Sequence, residues 1–109
     1  MKWLKDVHDR QIRLTNERLE HIEGDHPEMF GQFDKIGQTL QNPDIIIKSR
    51  TDLYVELFYK YYDVTPVNEK YLCIVVKTMD DEDIFIITAY FTDTIKKEKC
   101  YGKRNKNLV

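Results

Sequence analysis

Glycine, proline and cysteine are all scarce in this chain of 109 residues, which contains 4, 3 and 2 of them. So little glycine and proline excludes collagen-like and linker-rich chains. The two cysteines, Cys73 and Cys100, belong to no CxxC pattern, which excludes a disulfide framework and argues against zinc and redox motifs. Cys73 lies in an apolar run, as a buried free thiol would, and we expect a reducing, cytoplasmic location.

Long apolar runs are also missing. The longest, residues 72–76, is far short of the roughly 20 residues that a membrane helix needs, and no signal peptide is evident at the N-terminus. We therefore expect no membrane partner. A hydrophobic fraction of 41% is ordinary for a folded chain. The length predicts one domain over residues 1–109, with its core at about residues 10–98.

The net charge of −2 is unevenly distributed. Residues 95–109 carry six basic side chains and one acidic side chain, a net charge of +5, whereas the preceding residues are acidic. A basic tail over 99–109 could contact phosphate groups, although a solvated, frayed terminus is the simpler explanation. An acidic chain cannot be a strong non-specific binder of nucleic acid through its overall field alone.

Two helices are predicted in the N-terminal half. Thr15 is a good N-cap for a first helix, which ends at Gly24. Pro27 suits the start of a second helix, and the apolar residues that follow it recur at helical spacing as far as Leu40.

From residue 45 onward the apolar period is two, which predicts strands at 45–49, 53–61, 71–78 and 84–91. Short connections favour antiparallel neighbours. The predicted fold is therefore α+β, with two N-terminal helices packed on one face of a four-stranded antiparallel β-meander, followed by a short basic C-terminal tail.

Strand alternation predicts which side chains face the helices. The inward set is Leu53, Val55 and Leu57, then Leu72, Ile74 and Val76, then Phe85, Ile87, Ala89 and Phe91. The opposite face would carry a polar stripe of Tyr54, Glu56, Lys60, Tyr71, Lys77, Thr88 and Tyr90. A hairpin closed on Lys77 and Ile84 places Thr88 opposite Cys73, so the stripe has two ends roughly 13 Å apart.

Known catalytic motifs are missing, since the sequence has no P-loop, GxGxxG, GxSxG or HExxH pattern. The spacing of His8, His21 and His26 does not fit a metal site, and we expect neither metal nor cofactor. A lone histidine is more often a helix cap or a surface residue than an acid–base catalyst. Lysines on the stripe suit either phosphate or solvent, and its tyrosines suit either stacked bases or a protein partner.

Several short stretches occur in a familiar order. They are Arg13-Leu-Thr-x-Glu-Arg-x-x-His21-Ile, His26-Pro-Glu-Met29, Thr39-Leu-x-Asn-Pro-Asp44, Tyr71-Leu-x-Ile-Val-Val-Lys77 and Thr88-Ala-Tyr-Phe-Thr92, followed by Lys96-Lys97. Together they resemble the phage-related branch of the barnase–EndoU–colicin–RelE-like nuclease superfamily, over about residues 10–98.

This resemblance implies a small metal-independent endoribonuclease, in which a ribose 2′-hydroxyl attacks the adjacent phosphate with the help of a base, an acid and cations. It implies His21 as base or acid, Lys77 as the cation that offsets phosphate charge, and Thr88 and Tyr90 as hydrogen-bonding or proton-relaying groups. RNA-binding roles fall to Arg50, Lys60, Lys96 and Lys97. RNA is the expected partner, and the setting would be a toxin–antitoxin or phage-conflict system with a cognate antitoxin or immunity protein.

Two other functions stay open at this point. One is a non-catalytic protein-interaction module, or a homodimer, that uses the tyrosine-rich open sheet face. The other is a domain that binds a small ligand between the tyrosine side chains.

Overall fold

The computed structural model of the protein describes residues 1–80 and 83–95. The described part is α+β with two helices, α1 at Asn16–Asp25 and α2 at Phe33–Gln41, and a 3₁₀ turn at Pro27–Met29 between them. The strands are β1 at Lys2–Lys5, β2 at Gln11–Leu14, β3 at Ile45–Lys48, β4 at Val55–Tyr61, β5 at Tyr71–Asp80 and β6 at Asp83–Thr92.

The strands form one six-stranded mixed sheet in the order β1-β2-β6-β5-β4-β3, so the predicted four-stranded antiparallel meander is wrong. The last four strands do form a meander. The N-terminal hairpin of β1 and β2 extends it, and β2 pairs with β6 in parallel through Ile12–Ile84 and Arg13–Phe85. Four-residue strands carry too short an alternating pattern to be recognised before their neighbours are known.

A buried carboxylate fixes the β1–β2 hairpin. Asp6 has no exposed side-chain surface, and its Oδ1 accepts the backbone N–H groups of His8 at 3.0 Å and Arg10 at 2.9 Å. Its Oδ2 accepts a bond of 2.7 Å from Arg10 Nε. The Arg10 guanidinium also reaches Glu56 on β4, at 2.9 Å. These bonds hold the turn even though Asp9 has a positive φ of 66°.

Helix α1 begins as predicted, because the Thr15 hydroxyl accepts the backbone N–H of Arg18 at 3.1 Å. The second predicted helix begins later than expected. Pro27 starts only a 3₁₀ turn, and Gly31, with a φ of 78°, separates that turn from α2. His26 lies at the corner between α1 and the 3₁₀ turn.

Both helices lie on one face of the sheet, over the larger apolar core. On β5 the inward residues are Leu72, Ile74 and Val76, as predicted. On β4 the prediction is wrong, since Phe58 is fully buried in this core, while Leu57 belongs to a second cluster on the opposite face. Both faces of β4 are apolar, so alternation alone could not decide between them.

A β-bulge in β6 explains the remaining errors of register. Thr88 pairs with Val75 but Ile86 pairs with Val76, which leaves Ile87 as the extra residue. Ile84 and Ile86 therefore face the helices before the bulge, where Phe85 and Ile87 had been expected to do so. After the bulge, the predicted inward positions of Ala89 and Phe91 are confirmed by their place in the core. The inward residues of the whole strand are Ile84, Ile86, Ala89 and Phe91.

The face away from the helices is more apolar than the predicted polar stripe. A second cluster buries Ile47, Leu57, Tyr59 and Cys73 there, and Ile95 packs against it from the segment after β6. Only part of this face, toward β6 and the β1–β2 hairpin, is left for polar chemistry. We call it the open face.

For two residues of the β4 region, the structure and the alternation of the sequence predict opposite effects of mutation on stability. Phe58→Ala should lower the free energy of unfolding by about 3–5 kcal/mol, because Phe58 is fully buried in the main core. Leu53→Ala should change it by no more than about 0.5 kcal/mol, since Leu53 is 68% exposed. Urea unfolding of both variants measures these changes. A large loss of unfolding free energy in Leu53→Ala with a small loss in Phe58→Ala would instead support the inward face predicted from the sequence.

Candidate active site

Strand β6 is paired on both sides only over its first half. Its parallel partner β2 contacts it at Ile84 and Phe85, and then the chain turns into α1. Beyond Phe85, the described structure places α1 and the 3₁₀ turn beside β6 in place of another strand. The corner between α1 and the 3₁₀ turn therefore lies beside the second half of β6.

His26 occupies this corner and contacts Tyr90. The two ring centroids are 5.5 Å apart and the ring planes are tilted by 32°. His26 is the C-terminal cap of α1, and its backbone N–H donates to the carbonyl of Ile22 at 2.8 Å. Since Pro27 follows, the backbone at His26, with φ of −133° and ψ of 80°, is not helical and ends the helix there. Local geometry thus fixes the position from which the imidazole reaches β6.

A carboxylate lies on the other side of the imidazole. Oε2 of Glu28 is 3.8 Å from Nδ1 of His26, and the two side chains are 21% and 35% exposed. A carboxylate at this position favours one orientation of the ring and would stabilise an imidazolium ion if one formed. Glu28 therefore lies on the Nδ1 side of the imidazole.

Tyr90 is held as a neutral phenol. Burial raises the pKa of its hydroxyl well above the usual range, and the neighbouring Cys73, which lies opposite it on β5, raises it further. Thr88 precedes it by two residues on the same face of β6, opposite Val75, and so lies about 7 Å from it along the strand. Two hydroxyl groups and an imidazole therefore line this edge of the open face.

The other predicted catalytic residues, His21 and Lys77, lie on α1 and β5. His21 is exposed on α1, next to Ile22, which points into the helix-side core. Lys77 does share the open face with Thr88 and Tyr90, but its Nζ binds Asp52 at 3.0 Å. That hydrogen bond lowers the pKa of Asp52, so the pair is ionic at neutral pH. Lys77 lies four residues along β5 from the partner of Tyr90, or about 13 Å.

The predicted RNA-binding residues do not gather at this edge. Lys60 pairs with Leu72 and so lies on the helix side of the sheet, where its Nζ donates to the carbonyl of Asn42 at 3.0 Å and caps the end of α2. Arg50 is exposed in the turn between β3 and β4. Lys96, Lys97 and the predicted tail at 99–109 lie outside the described residues.

Over residues 1–80 and 83–95, no group of three or more histidine, cysteine, aspartate or glutamate side chains is arranged to hold a metal ion. None of the helices in the described part of the chain is long and apolar enough to cross a membrane.

Comparison with known proteins adds no identity. No protein-family model, no curated protein and no solved structure matches the chain.

Sequence reasoning missed the pairing of His26 with Tyr90. Both residues belong to stretches that carry the nuclease resemblance, but they are 64 positions apart in the chain. The available signal was His26-Pro27, since a residue before proline is forced out of the helix and its side chain is fixed at a corner. The sequence did not show that β2 pairs only with the start of β6, so that the rest of this edge has no strand partner within the described residues.

The raised pKa of Tyr90 predicts a specific loss of stability in alkali. Because folding favours the neutral phenol, the unfolded chain releases its proton first, and the stabilisation should be lost as the pH rises above about 10. Tyr90→Phe should therefore show a smaller fall in the free energy of unfolding over this pH range. Tyr62, the pKa of which burial also raises, contributes equally in both proteins. Equal alkaline destabilisation of wild type and variant would contradict the assignment.

Proposed function

We propose that this protein is a small metal-independent endoribonuclease whose reacting groups are His26, Tyr90 and Thr88. The contact between the His26 and Tyr90 rings carries the proposal. It joins two of the stretches that resemble the nuclease superfamily, and it puts a titratable base next to a protonated hydroxyl on an open sheet edge. The proposal replaces His21 with His26 as the residue that handles the proton.

The proposed reaction is transesterification of RNA. His26 takes the proton of a ribose 2′-hydroxyl, and the 2′-oxygen forms a bond to the adjacent phosphorus. The bond from phosphorus to the 5′-oxygen breaks, and the leaving oxygen takes a proton from the Tyr90 hydroxyl. The His26 imidazolium then gives its proton to water and the Tyr90 oxygen takes one from water, which restores both groups. The products are a 2′,3′-cyclic phosphate and a 5′-hydroxyl.

The surrounding residues have supporting roles in this reaction. In the proposed reaction, Thr88 donates a hydrogen bond to a non-bridging phosphate oxygen, where negative charge grows in the transition state. Glu28 orients the His26 ring and balances the charge that the ring gains. Because Tyr90 keeps its proton at neutral pH, it acts as a donor and does not compete with His26 for the 2′ proton.

The direct test is cleavage of single-stranded RNA by the purified protein in the presence of a chelator. His26→Ala should reduce the rate by about 10²–10⁴-fold, the usual effect of losing a general acid or base. Tyr90→Phe should also reduce it while leaving the apolar packing of the ring in place.

His8→Ala is the matched control, because His8 is an exposed histidine in the β1–β2 turn and does not belong to the elements that carry the proposed site. It should cleave RNA at the wild-type rate. Cleavage that is lost in His21→Ala and retained in His26→Ala would move the site to α1 and contradict the proposal. Absence of cleavage by the folded wild-type protein would remove it altogether.

A further inference from the structure

Aromatic and basic side chains alternate in one row across the open face. Trp3 on β1 pairs with Arg13 on β2, Arg13 pairs with Phe85 on β6, and Phe85 pairs with Lys77 on β5. Directly opposed residues in a sheet point to the same side. The row therefore reads Trp3, Arg13, Phe85, Lys77, and it crosses four strands, a span of about 14 Å.

Burial of the neighbouring residues independently confirms the side on which the row lies. Residues next to its members in sequence point into the helix-side core: Leu4, Ile12, Leu14, Ile84, Ile86 and Val76. Members of the row must face the other way. Trp3 is 58% exposed there, although a tryptophan in a domain of this size would normally be largely covered.

Each cation in the row is oriented by a carboxylate but keeps donors for a further ligand. Asp83 accepts bonds from Nε and Nη2 of Arg13, at 3.2 Å and 2.9 Å, which leaves Nη1 outside the recorded bonds. The same guanidinium lies 5.3 Å from the centre of the Phe85 ring. Lys77 uses one of its three donors on Asp52. The side chains of Arg13 and Lys77 are 29% and 34% exposed.

Two concave surfaces lie along the row. A groove of about 440 Å³ runs beside Arg13 and Phe85, with Arg18 at its far wall. A second depression, of about 450 Å³, is lined by Trp3 and Gln11. Each of these concave surfaces therefore has an aromatic ring in its wall and enough space beside it for a flat group.

We propose that this row is a binding platform for single-stranded RNA, with bases stacked on Trp3 and Phe85 and phosphates bound by Arg13 and Lys77. Alternating rings and cations on an open sheet face suit a single strand, whose bases are free to stack, better than a duplex, whose bases are already stacked. The biological role of the platform rests on the proposed function. Along β5, Lys77 of the platform lies about 13 Å from Cys73, the residue that pairs with Tyr90. Because the row crosses the strands and Tyr90 lies along them, an RNA chain that occupies both the row and the His26 edge must bend between the two.

The probe is a 2′-O-methyl oligouridylate, which binds as RNA does but lacks the 2′-hydroxyl that the proposed reaction needs. Trp3 is the sole tryptophan, so its fluorescence reports directly on the platform. Titration should quench that fluorescence. With a labelled oligomer followed by anisotropy, Trp3→Ala and Phe85→Leu should each weaken binding by roughly 5- to 150-fold.

Salt dependence tests the two cations separately from the rings. Arg13→Ala or Lys77→Ala should each reduce the slope of log affinity against log salt concentration by about 0.7. Phe30→Leu and Lys48→Ala are the matched controls, because Phe30 is 75% exposed after the 3₁₀ turn and Lys48 pairs with Glu56 on the helix side. Neither control should alter affinity or slope.

The outcomes separate the platform from the nuclease. Failure of the oligomer to bind, or binding without quenching and without loss in the Trp3 and Phe85 variants, overturns the platform. If unmodified RNA is still cleaved in those cases, the proposed function stands. Tight, quenched binding together with no RNA cleavage by wild type would support the platform and overturn the nuclease proposal alone.

Discussion

The partial pairing of β6 is the constraint on which the rest of this structure depends. Over its first two residues after Asp83 the strand has neighbours on both sides, which joins the N-terminal hairpin to the meander. Beyond that point the chain of β2 turns into α1, and a helix takes the place of a strand. A helix cannot complete a ladder of backbone hydrogen bonds, but its end can bring a side chain across the edge. That geometry puts His26 against Tyr90 and makes one edge of the sheet chemically distinct.

The β-bulge at Ile87, in the pairing of β6 with β5, is the second feature that shapes the open face. Without it, alternation through β6 would place either Phe85 or Tyr90, but not both, on the open face. The extra residue shifts the parity midway, so the ring that belongs to the Trp3 row and the hydroxyl that belongs to the His26 edge share one face. Bulges are frequent beside active sites because they redirect side chains in this way.

The local content of the fold was predictable, and its long-range pairing was not. Thr15 as N-cap, the inward set of β5 and the meander order all follow from residue type and period. The inward face of β4 could not be predicted in this way, because Phe58 and Leu57 are equally apolar. An error of one residue in β4 put Lys60 on the open face in the prediction, whereas it lies at the end of α2. For the proposed site, Thr88 and Tyr90 were expected from the resemblance. His26 was identified only from the fold. It is 64 positions from Tyr90 in the chain, and the two meet because α1 and the 3₁₀ turn, and not a strand, lie beside the second half of β6.

The chemistry of the cut ends tests the central claim most directly. A DNA oligomer that contains one ribonucleotide offers a single 2′-hydroxyl, so the wild-type protein should cut only after that nucleotide, in the presence of a chelator, and leave a 2′,3′-cyclic phosphate and a 5′-hydroxyl. His26→Ala should leave the oligomer intact. A 5′-phosphate at the cut, cutting at deoxynucleotides, or equal cutting by His26→Ala would contradict the account.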